Sequence, residues 1–351
     1  MKLPLVVSIA AAGLLACSGG GDDAVSVDAP IVDGRSIPSA GAAPIDVRET
    51  AEAFRGRGAP TPAPSSARDP GPRSGASAVG AGLIEAIPDS EIAQHLSATT
   101  AARLALGIRG RPNVVLAFSA ISGQANANGN DGTFARFGHK AQNKSLLIFS
   151  GEAYNVDMGI SNGAFPTERD ETAGCHLAAM PNSDSTLDGA TPAAVLSSVE
   201  RFTLFMRFLA PPTPSTTVPG GAASIERGRQ AFGDVGCALC HTPSMKTYNA
   251  SVAALREQTV NLYSNLLLHD MGRGLADGVR QGQASGSEFR SAPLWGLGQR
   301  LFFLHDGRTS DLRQAIHEHF SDGSEANDVV QRFMRLPDPL QQDLLNFLRS
   351  L

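Results

Sequence analysis

Cys237-Ala238-Leu239-Cys240-His241 is a C-x-x-C-H sequence. At this spacing two thiols can add to the two vinyl groups of one porphyrin, and the histidine that follows becomes an axial iron ligand. Read so, Cys237 and Cys240 carry haem c covalently and His241 is its proximal ligand. Zinc would need a second ligand pair at finger-like spacing, and a thioredoxin-like dithiol would want a strand-to-helix context; the sequence offers neither. A structural disulfide is the remaining plain reading of the pair. The pentapeptide occurs once in the 351 residues, so one haem c per chain is expected.

The residues around the motif read as a small helical domain, 213–351. Ser224 to Val235 predicts a helix that delivers the cysteines, with Gly228 and Phe232 one turn apart on one face. At the end of the chain Asp338 suits an N-cap, Pro339 the first helical position and Gln341 a capping-box start. Leu340, Leu344, Phe347, Leu348 and Leu351 then form an apolar face that would wrap a haem crevice.

The occupant of the second axial position decides whether the iron mainly passes electrons or also admits small ligands. Candidates downstream are His269, Met271, His305, His317, His319 and Met334. Helix periodicity separates two of them. Leu312, Ala315 and Ile316 trace an apolar stripe that His319 completes, whereas His317 lies about 200° away from His319 on a 3.6-residue helix. His319 is therefore the expected distal ligand; Met271, His269, Met334 and an open site stay as alternatives. His269-Asp270 and His305-Asp306 each set an imidazole beside a carboxylate, which fits a turn histidine or an acid–base group near the haem, and His305 is the candidate catalytic residue. Arg290 and Arg308 are candidate partners of the haem propionates, and Trp295 suits either porphyrin packing or core.

At the other end, Lys2 precedes an apolar run from Leu3 to Ala16, too short for a bilayer span and laid out as an export signal. Leu14-Leu15-Ala16-Cys17 resembles a bacterial lipobox, so Cys17 is expected to be lipidated and the mature protein to be a periplasmic or cell-envelope lipoprotein held on the membrane by that anchor. An ordinary signal peptide with an unrelated cysteine is the alternative. Residues 18–78, rich in Gly, Ala, Pro, Asp and Ser with Phe54 as sole aromatic, cannot bury a core and read as a disordered tether. Residues 79–212 form a glycine-rich, loop-rich middle domain whose clearest element is a helix from Ala193 to Leu209, with Val199, Phe202, Phe205, Phe208 and Leu209 on its core side and Pro211-Pro212 at its end. Cys175, beside His176, is left over as a buried free thiol or a reactive one. A net charge of −5 without a basic cluster argues against nucleic acid as a partner. The fold class expected is mainly α.

Several segments together resemble the di-haem oxidoreductases of bacteria, often called thiol oxidoreductases and related to di-haem cytochrome c peroxidases. They are Gly82-Leu83-Ile84-Glu85-Ala86-Ile87-Pro88-Asp89, Gly110-Arg111-Pro112-Asn113, Arg136-Phe137-Gly138-His139-Lys140-Ala141, Asp157-Met158-Gly159-Ile160, the haem motif, Leu266-Leu267-Leu268-His269-Asp270-Met271-Gly272, Arg290 to Gly298 and His305-Asp306-Gly307-Arg308. The resemblance covers about Val79 to Leu351. It implies that the distal ligand stands fourteen residues after the histidine of the H-D-G motif, and counting from His305 reaches His319. Two departures stand out: the earlier C-x-x-C-H that family members usually carry for a first haem is missing, and His139 stands where the family usually has tryptophan. The expectation is thus an electron-transferring mono-haem cytochrome with a redox partner protein. The alternatives are one subunit of a split di-haem peroxidase whose partner brings the other haem, and a non-catalytic surface lipoprotein.

Overall fold

The computed structural model describes residues 79–116, 120–121, 124–125, 133–167, 180–183 and 196–351. The expected signal peptide with Cys17, the tether, and Cys175 with His176 lie outside the described residues. The architecture is mainly α. Ten helices are described: α1 Ala81–Ala86, α2 Asp89–Ala98, α3 Thr100–Leu104, α4 Leu146–Met158, α5 Ser198–Arg207, α6 Ala222–Val235, α7 Gly272–Leu275, α8 Leu312–Glu318, α9 Asn327–Met334 and α10 Asp338–Ser350. The described strands pair two by two in short antiparallel ladders, the longest joining Leu268–Asp270 to Glu288–Arg290. Among the described residues no helix is long and apolar enough to cross a membrane.

Pro70–Leu351 is one compact unit. The boundary expected near Pro211-Pro214 does not divide the cores. Leu106 and Ile108 from before it pack with Phe232, Phe303, Leu344 and Phe347 from after it, and Met206 and Ile84 share a second core with Leu262, Leu267 and Trp295. The loop-rich residues cannot bury enough apolar area alone and complete their core on the C-terminal elements.

The helices α6 and α10 cross closely because Gly228 has no side chain: a Cβ there would stand 2.0 Å from the Asp343 carbonyl oxygen. The crossing is pinned by Ser224 and Arg227, which donate to the Asp343 carboxylate at 2.5 and 2.6 Å, and by the edge-on packing of Phe232 against Phe347. α10 starts one residue earlier than expected: Pro337 is the N-cap, and Asp338, already helical, makes no capping hydrogen bond. Gln341 instead donates to the Leu336 carbonyl at 2.9 Å, tying the start of α10 to the end of α9.

α5 begins with a full capping box between Ser197 and Glu200. Its buried line is Val199, Thr203 and Met206, whereas Phe205 and Phe208, expected on the core side, are exposed. Thr203 can face inward because its hydroxyl lies in the helix's own hydrogen bond to Val199 and a second one to Ser150, which removes the penalty of burying it.

Replacing Gly228 by alanine should cost roughly 1–3 kcal/mol through overpacking against Asp343, despite the better helix propensity of alanine. A fall in the urea midpoint at unchanged m-value would show it.

Candidate functional site

The C-x-x-C-H segment follows directly from α6. Gly236, at φ 103, turns the chain out of the helix, and Cys237–Leu239 form one 3-10 turn. A second segment holds this loop in place. Tyr263, Ser264 and Asn265 donate their amides to the carbonyls of Pro243, Thr242 and Cys240, and the Asn265 side chain donates to the Leu239 carbonyl at 3.2 Å. Tyr263 and Leu266 are left-handed (φ 52 and 59), an unfavourable state for residues with a Cβ that the bonds across the loop offset.

Cys237, Cys240, His241 and His319 border one cavity, which offers about 270 Å³ to the centres of water-sized spheres. Met271, Phe289, Trp295, Phe303, Leu344 and Leu348 supply much of its apolar wall. The cysteines are free thiols, not a disulfide. Burial, aided by the charge of Cys240, pushes the Cys237 thiol up to about 12.

The two histidines are alike in orientation. His241 donates Nδ1–H to the Tyr263 carbonyl at 3.1 Å, and His319, at the C-terminus of α8, donates Nδ1–H to the Ala315 carbonyl at 2.7 Å. A carbonyl oxygen can only accept, so each imidazole is the tautomer whose Nε2 keeps its lone pair. Burial, and after it repulsion from His319, holds the His241 pKa down to about 4; burial lowers that of His319 as well. Both rings are therefore neutral at pH 7, as an iron ligand must be. α8 owes its position to Asp311, whose carboxylate caps the amides of Arg313 and Gln314, and to Leu312 and Ala315, which are buried.

The other candidates are placed differently. His269 borders the cavity, yet both its nitrogens are committed: Nδ1 lies 2.9 Å from Glu325 Oε2 and 3.6 Å from Cys240 Sγ, and Nε2 meets the Asn265 side chain. Gly110, at φ 63, lets the chain pass against that ring, since a Cβ would fall 2.7 Å from its Cε1. His317 lies outside the cavity wall and Met334 is exposed, while Met271 is buried in the wall. His305 stacks on Phe289 at 4.2 Å between centroids and meets His139 edge-on at 6.4 Å; burial lowers its pKa. Trp295 combines the two roles foreseen for it, bordering the cavity and packing in the second core.

Of the two arginines expected at propionates, Arg290 is in the wall, donating Nε–H to the Gly138 carbonyl at 2.9 Å. Arg308 is outside it. Its guanidinium is neutralised by Asp306 at 2.5 Å and Glu318 at 3.3 Å, so the H-D-G-R turn closes on itself and on α8. Arg300 also lines the wall and was missed by sequence reasoning, because no motif or periodicity marks Gly298-Gln299-Arg300.

A covalent haem fits this donor set: two thiols at attachment spacing, two neutral imidazoles, an apolar wall and basic side chains set into it. His269 is pushed the opposite way from His241 and His319. Burial alone would lower its pKa, but the charges of Cys240 and Glu325 carry it up to about 10. Thioether formation at Cys240 would leave Glu325 to sustain that direction. With the folded pKa above the ordinary 6.5, the pair's contribution is complete below about pH 6.5 and is lost as the pH rises through the folded value. Glu325→Gln is therefore expected to cost about 3 kcal/mol at pH 6 and distinctly less at high pH, measured as urea midpoints across that range.

No curated protein matches the chain. A hydrazine synthase from Kuenenia stuttgartiensis, solved under 20 bar xenon, matches 44% of this chain and 55% of its own at 20% identity with a TM-score of 0.30, so the match spans about half of that chain. The family model described as "Di-haem oxidoreductase, putative peroxidase" matches residues 67–351, a span that includes the haem motif, the cavity and every wall residue named above. On that match the chain belongs to the di-haem oxidoreductase family.

Proposed function

We propose that this protein is a periplasmic, lipid-anchored cytochrome that transfers electrons through one covalently bound haem c. Cys237 and Cys240 would hold the porphyrin, His241 and His319 would be its proximal and distal ligands, and Cys17 would carry the lipid. The observation that carries the reading is the shared tautomer of two neutral histidines facing one cavity, each fixed by a backbone carbonyl.

When bound, the haem supplies a one-electron couple whose potential is set by its axial ligands and surroundings. The protein's part is to hold both imidazoles neutral and oriented, to keep water from the apolar wall, and to leave the electron exchange to a redox partner protein. Bis-histidine ligation favours a low-spin centre with a lower potential than a histidine–methionine one. Arg290 is the propionate partner retained from the sequence. His305, neutral and set in the wall, is the residue placed to accept a proton from a small molecule entering the cavity.

A second reading follows from the family description itself. The family is named for two haems, whereas this sequence has one C-x-x-C-H. A subunit of a split peroxidase, completed by a partner that brings the other haem, accounts for both facts.

Protein matured in a periplasm should give one c-type haem per polypeptide by pyridine haemochrome. Its ferric form should be low-spin at neutral pH and slow to bind cyanide. His319→Ala should turn it high-spin and open it to cyanide and peroxide, with the haem still attached. A wild-type ferric protein that is high-spin and binds cyanide at once would overturn the filled distal site.

A further inference from the structure

Arg290 and Arg300 are two cations set deep in one cavity wall without a carboxylate. Arg290 Nε and Nη1 donate to the carbonyls of Gly138 and Ser291, at 2.9 and 3.4 Å, and Arg300 Nη2 donates to that of Pro293 at 3.2 Å. A guanidinium has five N–H donors, so most of theirs have no partner among the described residues. Burial lowers both pKa values, that of Arg290 to about 10 with the repulsion of Arg300 added.

Other cations among the described residues are partnered more fully. Arg136 is matched with Asp89, Lys140 with Asp277, Arg207 with Glu85 and Arg111 with Glu288, while Arg103 is bonded to carbonyls near its own helix. A like-charged pair, half-buried in a cavity wall with spare donors, is stabilised by anions placed opposite it. The backbone also aims the pair. Gly138, at φ 85 with no room for a Cβ beside Gln142, turns its carbonyl to Arg290, whose own amide donates to the His139 carbonyl at 2.8 Å.

We infer that Arg300 together with Arg290 forms a two-guanidinium clamp for the two propionate carboxylates on one edge of the bound haem, so that Arg300 is a specificity and potential-setting residue. The inference rests on the haem reading above. It assigns the propionate edge of the porphyrin to the wall that runs from Gly138 to Arg300, and it leaves Arg308 to its own carboxylates.

The test uses the haem-loaded protein, its Arg300→Gln and Arg300→Lys variants, and midpoint potentials from spectroelectrochemistry between about pH 5 and about pH 9. Losing a cation near the iron favours the ferric state. Arg300→Gln should shift the ferric-to-ferrous ratio at fixed ambient potential about tenfold, a fall of about 59 mV for one electron. It should also bring a pH-dependent segment into the neutral range, because a propionate without its guanidinium has a raised pKa. Arg300→Lys should restore most of the potential. His139 and His305 face the same cavity in all three proteins, so the difference from wild type isolates Arg300. If Arg300→Gln keeps full haem and the wild-type potential at every pH, the clamp is overturned. A wild-type potential that moves with added inorganic phosphate at constant ionic strength would also overturn it, since the seat would then belong to a diffusible anion. Absence of haem from the wild type, visible in its absorption spectrum before any titration, would overturn the cytochrome reading along with the clamp.

Discussion

Two hydrogen bonds from imidazole to backbone carry the site. Nδ1 of His241 and Nδ1 of His319 each donate to a carbonyl, and both rings border one cavity, the arrangement on which the proposed pair of axial ligands rests. Much else in the fold serves to keep those carbonyls where they are. The Tyr263 carbonyl depends on a left-handed residue braced against Thr242 and Pro243, and Ser264 behind it is bonded to Ser291 at 2.5 Å. The Ala315 carbonyl depends on α8, which Asp311 caps and which is packed by Leu312 and Ala315.

Around the two histidines, polar groups are divided by partner rather than by exposure. His269 is as buried as the core, yet it is charge-compensated by Glu325 and so is structural. Arg136 and Lys140 are likewise buried with carboxylates. The family-like segments gain a physical meaning here. Glu85 of the first segment binds Arg207 and the Leu146 amide; Asp89 of the same segment binds Arg136 of the third; Gly110 of the second admits His269 of the later L-L-L-H-D-M-G segment. These segments, distant in sequence, are the two halves of ion pairs and close contacts, and of the residues so joined Arg136 and His269 border the cavity.

The mixed origin of the cavity wall explains why Pro70–Leu351 is one compact unit. α1 and α5 close one side of the C-terminal helical part, and their residues Ile84 and Met206 border the cavity with Trp295. A haem domain cut at Pro211 would leave Trp295, Leu262 and Leu267 exposed on that side, an apolar patch that a soluble domain does not keep.

Much of the site was legible in the sequence because it is local chemistry. C-x-x-C-H marks two candidate attachment thiols and a candidate ligand by spacing, and the stripe of Leu312, Ala315 and Ile316 puts His319 on the inner side of its helix by periodicity alone. Helical character, the close packing of Gly228 and Phe232, and the apolar face of α10 were legible for the same reason. Tertiary structure decided what depends on neighbours distant along the chain. It turned Phe205 and Phe208 outward, because Thr203 finds a hydroxyl partner in Ser150 and Val199 and Met206 supply the buried line. It spent His269 on Glu325 and Arg308 on Asp306 and Glu318, and it brought Arg300 beside Arg290. Periodicity tells which way a side chain points, but only the folded chain determines which charge it meets there, and the partner determines whether a buried ionisable group is a strut, a ligand or an anion seat.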